Sequence, residues 1–153
     1  MMPNENIGRR MFLSALLANF IWINLSEIAR YFWVVRPMLH EAYPGQSHVG
    51  AMDWGIFALW GIWDLVLILG ATGFFWLWLE KFGTQWRQIV AASLSFTITI
   101  FGLIWLGVAN MGLAPYSLLF AALPLAWLEQ LIACGIVALF LQKTHAPSSM
   151  RSI

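Results

Sequence analysis

Four long, unbroken apolar stretches decide what this chain can become. They cover residues 11–38, 53–79, 89–113 and 116–142. Each exceeds the ~20 residues that an α-helix needs to cross the hydrocarbon core of a bilayer. A helix satisfies its backbone hydrogen bonds within its own segment, as lipid demands. A barrel strand needs only ~9–11 residues with strict alternation, and these stretches do not alternate. The pattern predicts an all-α, polytopic membrane protein folded as a four-transmembrane-helix antiparallel bundle. Composition agrees: 10% of residues are charged, against about 25% in a soluble domain. The chain is tryptophan-rich, with ten Trp, a residue favoured at membrane interfaces. A net charge of +1 carries no electrostatic footprint for nucleic acid. The lone Cys134 excludes an internal disulfide and any CxxC motif.

The connections are short, which makes sequential helices antiparallel neighbours. Residues 40–52 carry the turn signal Pro44-Gly45. Residues 80–88 form a charged turn and 110–115 a tight uncharged one. Residues 1–10 read as a cytoplasmic N-terminal segment and 143–153 as a frayed, polar cytoplasmic tail. Arg9, Arg10, Lys81, Arg87, Lys143 and Arg151 fall on one side of this layout, six of the eight basic residues. The positive-inside rule then puts both termini in the cytoplasm, in a membrane of the bacterial inner type. The apolar run after Arg10 exceeds ~15 residues and lacks a clear A-x-A site, so the first span is expected to stay uncleaved.

Three acids and one base interrupt these stretches: Glu27 and Arg30 in the first, Asp64 in the second, Glu129 in the fourth. Each costs at least ~2.5–3.5 kcal/mol near a bilayer centre. A rise of ~1.5 Å per residue puts Glu27 about 13 Å inward from Arg36 and Asp64 about 16 Å from Asp53. Glu129 lies about 21 Å from both Pro115 and Lys143 on the same rise. All three carboxylates therefore belong to the middle layer. Asn19, Asn24, Ser26, Glu27 and Arg30 form one polar arc on the first helix, which should face protein or water. Trp60 and Asp64 are i, i+4 neighbours on the second, and Glu129 and Gln130 adjoin Trp127 on the fourth.

Arg30 is expected to pair with one or two of the carboxylates, since a guanidinium binds them in a fork. Three carboxylates against one cation leave a formal charge of −2. At least one carboxyl is therefore expected to hold a proton, as proton coupling or acid–base chemistry requires. A purely structural ion-pair network clamping the helices is the competing reading. The excess of acids over bases favours a function.

Weaker features have bland and functional readings. Pro124 should kink the fourth helix before Glu129. Ser93, Ser95, Thr97 and Thr99 are expected to bond to their own helix or pack, in preference to lining a polar path. Gly70 and Gly73, with Ala71, are expected to permit close helix contact. His40, Glu41, His48 and Asp53 read as solvated loop residues, although their types suit a divalent metal. No histidine falls within a predicted span, which argues against a bis-histidine haem. No pattern calls for a cofactor or a metal. Trp22, Tyr31, Trp60 and Trp63 could cage an organic cation or a flat apolar ligand, with ordinary packing as the alternative.

The expected site comprises Glu27, Arg30, Asp64 and Glu129, with Asn24 and Trp60. The leading functional expectation is a small transporter or binding protein for a proton, cation or small amphiphile. A membrane-embedded enzyme using carboxylate acid–base chemistry on a lipid or isoprenoid-like substrate is the first alternative. An accessory subunit of a membrane complex is the second. The expected partners are the bilayer and a small ligand or ion, with homo-oligomers plausible for so thin a bundle. No family's motif can be placed on these residues, so no role is carried over from one.

Overall fold

The computed structural model describes residues 3–46, 48 and 52–145. Among them every regular element is helical. Four helices are long and apolar enough to cross a membrane: Asn6–Ala42, Trp54–Phe82, Trp86–Asn110 and Tyr116–Thr144, the first to fourth spans. Residues 146–153 of the polar tail, with Arg151, lie outside the described residues, as do positions 47 and 49–51 of the first loop.

The helices run past most of the boundaries expected from hydropathy, because helix ends follow breakers as well as polarity. Pro3 is compatible with a first helical position, and the one weak point that follows, Gly8, is tolerated inside a helix. Residues 3–10 are therefore helical. At the other end the first span continues to Ala42, which places His40 in its last turn rather than in a loop. The second span starts at an N-cap, where the Asp53 carboxylate accepts a hydrogen bond from the Ile56 amide at 2.9 Å. It keeps Glu80 and Lys81 helical and stops at Gly83, whose φ of 91° suits glycine. The third span stops earlier than expected, at Asn110, because Gly112 turns the chain with a φ of 71°.

Two spans are not uniform α-helix. The first widens into a π-helical turn at Tyr31–Val35, where the Arg36 amide donates to the Tyr31 carbonyl five residues back. Pro37 follows directly and has no amide hydrogen to give the Trp33 carbonyl. A wider turn relieves the clash that its ring would otherwise make there. The third span has a second π-helical turn at Ile98–Gly102.

The fourth span is the hub and packs against each of the other three. Its Ala122, Ala126 and Ala133 are fully buried, and Ala15, Ala71 and Ala92 join the same interior from the other spans. Small side chains let helix backbones approach, which drives association in lipid. Gly70 and Gly73 do not take this role: a Cβ at either would meet nothing within 4 Å. The helical phase turns Ala71 and Thr72 inward instead. Leu17, Leu25, Leu59, Val66 and Leu77 lie exposed outside, an apolar surface of the kind that lipid accepts and water does not.

Side chains tie the loops together in two groups. The Tyr43 hydroxyl donates to the Gly112 carbonyl at 3.0 Å, joining the first and third loops. The Gln142 amide donates to the Thr84 hydroxyl at 3.0 Å, joining the second loop to the end of the fourth span. By contrast, the first and third spans do not pack closely backbone to backbone.

Candidate functional site

Glu27 and Arg30 stand one turn apart on the first span and form a direct ion pair. Arg30 also faces the fourth span, where its Nη1 lies 3.7 Å from Glu129 Oε2. The other Glu129 oxygen accepts from the Gln130 amide at 2.9 Å. The guanidinium lies over the Phe101 ring of the third span, 5.4 Å from its centroid. Arg30 thus connects three spans. All four charged residues are buried, with exposures of 7% for Glu27, 9% for Arg30, 5% for Asp64 and 1% for Glu129.

Asp64 is placed differently from the other two acids. It is within electrostatic reach of Glu27 and Arg30, yet among the described residues both ion pairs belong to Arg30 with Glu27 and Glu129. Its Oδ1 is buried without a hydrogen-bond partner, as is Glu129 Oε2, but only the Glu129 oxygen has Arg30 at ion-pair distance. The indole of Trp60, one turn earlier, also acts on this carboxylate.

Asp64 opens onto a cavity of about 250 Å³ that Glu27 and Arg30 also line. Its walls come from the first three spans, and both π-helical turns contribute: Tyr31 and Val35 from one, Ile100 and Phe101 from the other. Such turns recur at functional sites because one extra residue re-aims the side chains around it. Aromatic rings make up much of the lining: Tyr31, Trp60, Trp63, Phe101 and Trp105. Tyr31 and Trp60 meet edge to face with centroids 4.9 Å apart. Trp63 and Ile104 line the cavity and are also exposed, at 59% and 41%, so it reaches the apolar flank between the second and third spans. A second cavity of about 510 Å³ lies between the third and fourth spans beside Pro124 and Trp127, and no charged residue lines it.

Four of the six residues expected at a site, Glu27, Arg30, Asp64 and Trp60, line one cavity. Glu129 does not line it and backs Arg30 from behind. Asn24 is elsewhere: its amide folds back onto the Phe20 carbonyl of its own helix at 2.8 Å. Two other side chains of the first span reach across to its neighbours. Asn19 donates to the Thr72 hydroxyl at 3.1 Å, and the Trp22 indole donates to the Glu129 backbone carbonyl at 3.0 Å. On the third span Ser93 and Thr97 bond to backbone carbonyls of that same span, at 3.0 and 2.8 Å. Sequence reasoning missed Phe101 and Trp105 and both widened turns. Pro37 was an available signal for the first of those turns. Among the described residues no group of His, Cys, Asp and Glu gathers as a metal-binding set, the loop acids and histidines included.

No protein-family model matches this chain, and no curated protein or solved structure is significantly similar to it. Four helices long and apolar enough to cross a membrane, with a buried charged pair among them, fit a membrane helical bundle.

Proposed function

We propose that the chain is an intramembrane carrier or binding protein whose cavity takes up a proton or a monovalent cation. One observation carries this reading. Asp64 is a buried carboxylate facing a cavity, while the nearby guanidinium is engaged by Glu27 and Glu129. Three ionised carboxylates against one guanidinium total −2, a charge that a low-dielectric interior resists. A proton or a cation at Asp64 offsets it. A clamp between helices needs only the paired members of the set.

The test uses the full chain reconstituted in lipid vesicles. Asp64→Asn should abolish cation- or proton-dependent uptake while the protein stays folded and monodisperse. If this variant loses its fold, Asp64 is structural and the reading is wrong.

The same proposal includes the layout in the membrane: an antiparallel bundle in an inner membrane of the bacterial type, both termini cytoplasmic. Two findings support it. The ties between the first and third loops, and between the second loop and the end of the fourth span, suit helices that alternate in direction. Arg9, Arg10, Lys81, Arg87 and Lys143 then gather at the cytoplasmic end.

A second reading is an enzyme acting on a lipid-derived molecule. The reach of the cavity to the apolar flank at Trp63 and Ile104 favours it, because a lipid substrate enters sideways. Turnover of an added lipid that depends on Asp64, without any uptake, would select this alternative.

A further inference from the structure

We infer that the occupant of the Asp64 cavity is a small organic ammonium ion, in preference to a bare metal ion. This inference rests on the cation-binding reading above and narrows it to a substrate class.

The wall chemistry separates the candidates. Hard metal ions gather about six or more oxygen ligands. Among the described lining residues, side-chain oxygen comes from Glu27, Asp64 and the Tyr31 hydroxyl, and Glu27 is already engaged by Arg30. The remaining lining is largely aromatic and aliphatic. That combination suits an alkylammonium, which is attracted to aromatic faces, to Trp most strongly, and accepts apolar neighbours. Trp60 and Tyr31 hold each other edge to face, so part of the wall is ordered before any ligand arrives. The molecule already places one organic cation against this wall: the Arg30 guanidinium over Phe101.

Charge and size agree. Asp64 has a buried oxygen with no hydrogen-bond partner and lines the cavity, so it is the anion left for an incoming cation. A volume of about 250 Å³ falls below the ~300–1,000 Å³ of pockets for drug-sized ligands. It suits a methylated ammonium group, with the opening beside Trp63 and Ile104 available to a short alkyl tail.

The experiment is a binding assay on the full chain in detergent micelles, with radiolabelled tetramethylammonium as the probe. Saturable binding is expected, displaced by unlabelled methylammonium and not by sodium at ten times the concentration. Trp60→Leu should weaken it about tenfold, and Asp64→Asn should remove it. Trp60→Phe should recover part of the affinity, which keeps the test informative if Asp64→Asn fails to fold. Unchanged affinity in Trp60→Leu overturns the inference. So does an absence of tetramethylammonium binding alongside sodium or proton binding that needs Asp64, an outcome that leaves the broader reading standing. An absence of tetramethylammonium, sodium and proton binding alike overturns both.

Discussion

Arg30 lies over the ring of Phe101, 5.4 Å from its centroid, and so bridges the first and third spans where their backbones stay apart. The same guanidinium holds Glu27 and Glu129. It therefore acts as the cation of the bundle interior and as a strut beside the cavity. Replacing it with Met leaves two buried carboxylates without their cation. Removing one partner of a buried pair costs about 3–5 kcal/mol. Arg30→Met should show a loss of that size in unfolding from micelles. Arg30→Lys should recover only part of it, because an ammonium cannot span two carboxylates as a planar fork does.

The polar residues of the first span should separate in the same assay. Asn19 reaches across to Thr72, whereas Asn24 bonds to its own helix. Interhelical hydrogen bonds in lipid average about 0.6 kcal/mol. Asn19→Ala should cost about that much, and Asn24→Ala should be near neutral. Ligand binding should survive both, since neither residue lines the cavity.

Pro37 should matter more for the cavity than for stability. Its missing amide coincides with the widened turn that puts Tyr31 and Val35 on the cavity wall. Pro37→Ala permits ordinary α-helix and turns the following residues by one position. Ligand affinity should fall at least several-fold, while the melting temperature holds or rises. Unchanged affinity would show that the turn does not depend on Pro37.

Glycines divide by backbone conformation. Gly83 has a φ of 91°, and a Cβ there would come 2.6 Å from the Gln85 side chain. Gly83→Ala should destabilise by about 1–3 kcal/mol, the strain of a positive-φ, extended backbone for a residue with a Cβ. Gly70→Ala and Gly73→Ala meet open space and should be neutral or slightly stabilising in thermal unfolding.

The spans are legible in the sequence because lipid enforces long apolar helices, and the depth of each charge follows from a fixed rise. Which acid Arg30 holds is less legible, because that depends on helix rotation and crossing. The widened turn at Tyr31–Val35 hides part of the cavity wall instead, since it shifts the phase of the residues after Arg30. Ideal α-helical angles place Asn24 on the polar arc, but they do not show a short amide folding back onto Phe20. Phe101 and Trp105 look like ordinary apolar residues of the third span. Only the gap between the first and third spans makes them a cavity wall.

The role of Asp64 is tested most directly by one variant read two ways, in the same preparation of Asp64→Asn. A carboxylate that awaits a ligand should be dispensable for the fold: stability should hold or rise when this buried charge is removed, while cation or proton uptake is lost. A stability loss of about 3–5 kcal/mol, as for a broken buried pair, with uptake retained would contradict that role and make Asp64 a structural member of the charged network.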